Sequence, residues 1–109
     1  MPGIGKRHLA ALAIAMLTFS SVPLRADDAA TLYKSKCAMC HGADGKGETP
    51  AGKKMGVHDF GSPEVQGMKD AELASAISDG RNKMPAYKKS LSADQIKGLA
   101  NYVRSFGKK

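Results

Sequence analysis

The pentapeptide CAMCH at residues 37–41 concentrates the side chains of this sequence that can do chemistry. Two thiols separated by two residues can bind a soft metal ion, form a redox-active pair, or attach a larger group. His41 follows the second thiol directly and supplies an imidazole, a common metal ligand. Cys37 and Cys40 are the only cysteines, so a framework of several disulfides is excluded.

Two of these roles fit the sequence poorly, although the sequence alone leaves both open. A structural zinc site needs four ligands, commonly two pairs. The chain has no second cysteine pair, and His58 is the only further histidine after residue 26. A redox-active C-x-x-C typically opens a helix that follows a strand. Here the motif is predicted near the end of a helix, with no strand before it.

The third role is covalent attachment of haem, for which C-x-x-C-H is the known pattern. The thiols of Cys37 and Cys40 would bond to the two vinyl groups, and His41 would ligate the iron from one face. Two intervening residues place both sulfurs along one edge of the macrocycle. We therefore predict one haem c, attached through Cys37 and Cys40 and ligated by His41.

The second axial ligand has three candidates outside this motif. Met84 lies in the stretch NKMPAY, where Pro85 restricts the backbone and helps to hold a flexible thioether. Met55 lies on a glycine-rich stretch, and His58 would give the iron two imidazole ligands. We predict Met84, with Met55 and His58 as alternatives.

The first 26 residues differ in character from the rest of the chain. Residues 6–8 are basic, residues 9–19 are uncharged and largely apolar, and Ser20, Ser21, Pro23 and Ala26 close the segment. This is the order of a secretory signal peptide, and the apolar run is shorter than the ~20 residues of a spanning helix. We expect cleavage after Ala26 and a periplasmic protein. An uncleaved membrane anchor is the alternative.

Residues 27–109 are expected to form one all-α domain. We predict a first helix over residues 28–40, an irregular stretch over residues 42–62, and one helical turn opened by Ser62. A further helix is predicted over residues 70–79, and a final amphipathic helix follows the capping box of Ser92 and Gln95. So short a chain with two long loops should be marginal alone, which predicts a bound apolar group.

These residues resemble the class I c-type cytochromes, in particular the small single-haem bacterial ones. The resemblance rests on CAMCH, on KMPAY, and on the closing helix SADQIKGLANYVRSF, which together span nearly all of residues 27–109. It implies a cytochrome c-like fold, with short helices and long loops wrapped around one covalently bound haem. It also implies that the carbonyl of Pro50 accepts the N–H of the His41 ring and orients it.

Ligation by His41 and Met84 would leave no open position on the iron, and no acid–base pair is recognisable. We therefore predict no enzymatic activity, but a soluble periplasmic one-electron carrier between respiratory or dehydrogenase partners. One alternative is a dedicated electron-acceptor subunit of one periplasmic dehydrogenase. The others are a ligand-binding haem protein and a metal or thiol module without haem.

The charge balance bears on the partners of such a carrier. The formal net charge is +7, and removal of Lys6, Arg7 and Arg25 with the signal peptide would lower it to +4. The lysines near the two haem-binding stretches are Lys36, Lys53, Lys54, Lys83, Lys88 and Lys89. We expect a redox donor and an acceptor with acidic docking surfaces, with a solvated lysine surface as the alternative. We expect no nucleic acid, no stable membrane insertion after cleavage, and a monomer.

Overall fold

The computed structural model describes residues 25–108, and in this range the ordered elements are helices. They are α1 Ala26–Lys36, α2 Ala38–His41, α3 Pro50–Met55, α4 Pro63–Gln66, α5 Asp70–Asp79, α6 Ala93–Ser105 and a terminal 3-10 turn, Phe106–Lys108. The only β-type pairing in residues 25–108 is an isolated bridge between Arg81 and Met84. The all-α prediction is confirmed.

The predicted signal segment lies outside the described residues, except for Arg25 and Ala26. The expected cleavage position after Ala26 coincides with the first residue of α1. Over residues 25–108, no helix combines the length and the apolar character that crossing a bilayer requires.

The first predicted helix is in fact two helices that meet at Cys37. The Cys37 backbone departs from helical geometry, with φ −115° and ψ −33°, while its N–H still donates to the Tyr33 carbonyl. α2 then runs through the rest of the CAMCH motif and ends at Gly42, whose φ is 82°. The break lies at the first of the two cysteines, inside the predicted attachment motif.

The predicted irregular stretch over residues 42–62 is partly wrong, because it contains α3. The Thr49 side chain caps this helix by accepting a hydrogen bond from the Gly52 N–H at 2.9 Å. Pro50 occupies the first helical turn, where its missing N–H costs nothing. Gly56 ends the helix in the left-handed region, with φ 67°.

The core lies where α1 and α5 pack against α6. As predicted, Ser92 and Gln95 form the capping box of α6, with hydrogen bonds of 2.8 and 3.1 Å between side chain and backbone. The predicted apolar stripe is buried in full: Ile96, Leu99, Ala100, Val103 and Phe106. Tyr33 of α1, only 1% exposed, packs against this stripe. Because Tyr33 is buried in a core that α1, α5 and α6 share, α1 is held in place. The CAMCH motif begins directly after α1, so its start is held as well.

Candidate functional site

Both cysteines of the motif carry free thiols and are half-buried. Burial raises the pKa of Cys37 to about 11, although the neighbouring Lys36 charge acts in the opposite direction. Reactive cysteines of redox-active C-x-x-C motifs have lowered pKa values instead. Cys37 therefore lacks the electrostatic character of a reactive thiol. Within residues 25–108, no three or more His, Cys, Asp or Glu side chains are grouped so that they could hold a metal ion.

The His41 ring is half-buried and stacks on Phe60, with ring centroids 4.3 Å apart. Burial lowers the pKa of the imidazole, so the ring is neutral at neutral pH and has a lone pair for a metal. Its Nδ1 is the one buried side-chain nitrogen or oxygen of the described residues without a hydrogen-bond partner. A buried, unpaired polar atom is costly and requires an explanation.

Nδ1 of the His41 ring has no hydrogen-bond partner among the described residues, and the hydrogen bond from this ring to the Pro50 carbonyl stays a prediction. Pro50 is the first residue of α3, and a carbonyl at that position points along the helix axis into the helix's own hydrogen bonds.

The backbone of α2 is held by the segment that follows it. Thr49 Oγ1 donates to the Cys40 carbonyl at 2.8 Å, and the Gly47 N–H donates to the His41 carbonyl at 2.8 Å. A Cβ atom at Gly52 would overlap the Cys40 carbonyl oxygen, so α3 lies directly on the end of α2. These contacts fix the two peptide groups that carry Cys40 and His41.

The three candidates for the second axial ligand have different surroundings. The half-buried Met84 packs against the hydrophobic core, and its N–H donates to the Arg81 carbonyl at 2.8 Å in a tight turn. Met55 lies at the end of α3 with 42% of its surface exposed. His58 is 70% exposed and pairs with Glu64 at 3.0 Å. Met84 is therefore the candidate that is held inside the fold.

The Met84 loop and the CAMCH motif lie next to each other, and Tyr87 connects them. Its hydroxyl donates to the carbonyl of Lys36, 51 residues away in sequence, at 3.2 Å. Burial raises the pKa of Tyr87, and the two nearby thiols, Cys37 and Cys40, raise it further. Cys37, Met84 and Tyr87 also pack against the same core. The fold thus joins two stretches that the sequence keeps far apart.

These observations fit a covalently bound haem. The motif offers two free thiols and a neutral imidazole whose buried Nδ1 has no protein partner. A thioether held against the core lies in the neighbouring loop. An all-α domain with this combination has the character of a c-type cytochrome domain.

Comparison with known proteins leads to the same class. The family model described as cytochrome c oxidase, cbb3-type, subunit III matches residues 24–103. Cytochrome c6 of Nostoc sp. is 39% identical over 100 residues, which cover 87% of this chain and 86% of that protein. The cbb3-type oxidase subunit CcoP of Azospirillum brasilense is 34% identical over 84 residues, but these cover only 28% of that subunit.

A solved structure titled KustC0563 c-type cytochrome is similar with a TM-score of 0.67 and 31% identity. The match covers 72% of this chain and 95% of that one. This chain therefore belongs to the c-type cytochrome family. It has the cytochrome c-like fold, and its cofactor is covalently attached haem c, as predicted. The family resemblance drawn from the sequence is confirmed.

Three residues of the site were not predicted from the sequence. Thr49 could have been found, because Thr followed by Pro is a signature of a helix start. Phe60 and Tyr87 carry no local signal, since their contacts with His41 and Lys36 depend on the fold.

Proposed function

We propose that this protein is a soluble, periplasmic, single-haem cytochrome c that carries one electron at a time between redox partners. In this proposal Cys37 and Cys40 attach the haem, and His41 and Met84 are the axial ligands. The observation that carries it is the proximity of the Met84 loop to the CAMCH motif, through the hydrogen bond from Tyr87 to Lys36. The similarity to cytochrome c6 over 86% of that protein supports the same function.

The haem iron supplies one-electron exchange between its ferric and ferrous states. His41 binds through a neutral imidazole, which its burial favours. Met84 contributes a soft thioether that favours the ferrous state and raises the reduction potential. If both side chains bind the iron, they would leave no position open on it for a substrate. This is why we propose a carrier and not an enzyme.

The proposal includes export of the protein to the periplasm. Residues 1–26 are removed as a signal peptide, and Asp27 becomes the first residue of the mature protein. The lysines near the site then face partners with acidic docking surfaces. Among them, Lys83 and Lys88 flank the Met84 loop, and both are exposed.

Replacement of Met84 tests the proposed ligation. The oxidised wild-type protein should show the sulfur-to-iron charge-transfer band, and Met84→Ala should abolish it. The variant should also have a lower potential and, when reduced, bind carbon monoxide readily. Met55→Ala is the matched control, since Met55 is an exposed thioether, and it should change none of these properties. If Met55→Ala alone removes the band, Met84 is not the ligand. If the wild type itself lacks the band and has the spectrum of a bis-imidazole haem, His58 is the ligand.

A second candidate function is that of a dedicated electron-acceptor subunit of one enzyme. The observation in its favour is the match of residues 24–103 to a family described as an oxidase subunit. Affinity purification of the mature protein from its own periplasmic and membrane fractions distinguishes the two. Stoichiometric recovery with one enzyme complex would favour the subunit, whereas recovery as a free monomer would favour the carrier.

A further inference from the structure

The Tyr87 backbone is fixed on both sides. Its N–H lies 3.1 Å from the carbonyl oxygens of Ile77 and Ser78, at the end of α5. Its own carbonyl accepts hydrogen bonds from Ser90 at 3.0 Å and Leu91 at 2.9 Å. Tyr87 therefore belongs to the rigid part of the domain, although it lies in the loop that carries Met84.

The Tyr87 side chain reaches a carbonyl that the helix break has left without its helical partner. In a continuous helix the Lys36 carbonyl would accept from the Cys40 N–H, four residues on. Here the Cys40 N–H instead bonds to the Cys37 carbonyl at 3.2 Å. The Tyr87 hydroxyl takes the vacant place at 3.2 Å from the Lys36 oxygen. Its hydrogen bond ends on the peptide that directly precedes Cys37.

The short distance along the chain between Tyr87 and Met84 restricts the methionine. Three peptide units separate them, so their Cα atoms lie within ~11 Å in any conformation. Pro85 restricts this link further, because its ring fixes φ. At its other end, Met84 is held by the hydrogen bond of 2.8 Å to the Arg81 carbonyl. An anchored Tyr87 thus limits how far the Met84 side chain can withdraw.

We infer that Tyr87 is a positioning residue for Met84: its hydrogen bond to the Lys36 carbonyl holds the Met84 loop against the CAMCH segment. The inference rests on the proposed ligation by Met84. Through this hydrogen bond, the Tyr87 hydroxyl joins the loop that carries Met84 to the segment that carries His41. The thioether of Met84 would therefore stay near the iron. Loss of the hydroxyl removes the link between the Met84 loop and the CAMCH segment, while the backbone hydrogen bonds of Tyr87 and the packing of its ring against the core remain.

The test is displacement of the thioether by imidazole in the holoprotein, followed through the charge-transfer band. Tyr87→Phe removes only the hydroxyl. The imidazole concentration that removes half of the band should fall about fivefold, because the net contribution of one ordinary hydrogen bond changes an equilibrium constant by about that factor. Hydrogen exchange of the Met84 amide should be faster in the same variant, which reports on the loop independently of the haem spectrum.

Tyr102→Phe is the matched control. Tyr102 packs 4.8 Å from the Tyr33 ring, and its hydroxyl has no hydrogen-bond partner among residues 25–108. This variant should have the imidazole sensitivity of the wild type. A Tyr87→Phe protein with the wild-type sensitivity would overturn the inference while ligation by Met84 still stands. Equal sensitisation by both variants would also overturn it. A wild type without the band would instead contradict the ligation itself.

Discussion

The hydroxyl of Thr49 joins two helices, since it donates to the Cys40 carbonyl at 2.8 Å and accepts from the Gly52 N–H at 2.9 Å. The first hydrogen bond satisfies a carbonyl at the end of α2, and the second caps the start of α3. Backbone carbonyls at the end of a helix and N–H groups at its start lack partners within the helix. The Thr49 side chain therefore supplies a partner for one group of each kind. The geometry also holds α3 against the peptide that precedes His41.

Replacement of Thr49 should therefore weaken the fold at the histidine side of the site. Thr49→Val keeps the shape but loses both hydrogen bonds, and we expect a loss of about 1–3 kcal/mol in the free energy of unfolding. Thr49→Ser keeps the hydroxyl and should restore most of it. Urea unfolding of the two holoproteins measures the difference. A Thr49→Val protein as stable as the wild type would show that the two hydrogen bonds of the hydroxyl do not contribute to stability.

The second prediction concerns the stability of the protein at alkaline pH, which should depend on the phenol of Tyr33. Its hydroxyl donates to the Gly42 carbonyl at 2.6 Å, and burial raises the pKa of this phenol far above its usual range. In the unfolded chain the phenol ionises near pH 10, while the folded protein retains the proton. The unfolded state then binds fewer protons, so the free energy of unfolding falls as the pH rises above about 10.

Tyr33→Phe should remove this contribution. At pH 8 the variant should be less stable than the wild type by about 1 kcal/mol, because a buried acceptor loses its donor. Between pH 9 and 11 its stability should decline less steeply, since residue 33 no longer titrates. Denaturant unfolding across this range measures both effects. Parallel pH profiles would mean that Tyr33 ionises in the folded state as readily as in the unfolded state.

Much of the fold could be predicted because its signals are local. The apolar stripe of α6 and the Ser92–Gln95 capping box are periodic or short-range patterns, and both are present in the structure. The chemistry of CAMCH was likewise readable, since five consecutive residues carry it. α3 was missed because six glycines and one proline in residues 42–62 outweighed the Thr49-Pro50 start signal.

What the sequence left undecided depends on contacts between distant segments. Tyr87 and Lys36 are 51 residues apart, and no local pattern relates them. The surroundings of Met55, Met84 and His58 also follow from the packing of whole helices. The Pro50 prediction was transferred from a family pattern, and in this chain Pro50 begins a helix.

Maturation gives a test of the chain boundaries. We expect an intact mass equal to residues 27–109 plus one haem, because a signal-type segment precedes Asp27 and Cys37 and Cys40 are free to form two thioethers. Mass spectrometry of the periplasmic protein measures this directly. A mass without the haem increment would contradict attachment, and a retained N-terminal segment would contradict cleavage after Ala26. Cys37→Ala with Cys40→Ala is the matched control, and it should lose the covalent increment.

Docking on acidic partners should depend on lysines near the Met84 loop. Two of them, Lys83 and Lys88, differ in whether a nearby carboxylate compensates their charge. Lys88 lies 3.8 Å from Asp79, so part of its field is compensated locally. Lys83 has no ion pair with any residue in 25–108. Attraction to an acidic surface raises association rates, and salt screens it over roughly 10 Å at 0.1 M. Lys83→Glu should therefore slow electron transfer more than Lys88→Glu, and the slowing should diminish as salt is added.

Lys97→Glu on α6 is the matched control for this prediction, because it makes the same charge change on an exposed side chain far along the sequence from the Met84 loop. The measurement is the second-order rate of electron transfer to an acidic redox protein at several ionic strengths. If the three variants lose rate equally, the net charge acts as a whole and no lysine near Met84 defines a docking surface. If only Lys83→Glu and Lys88→Glu are slowed, and their rates approach the wild-type rate at high salt, electrons leave the haem through the surface next to Met84.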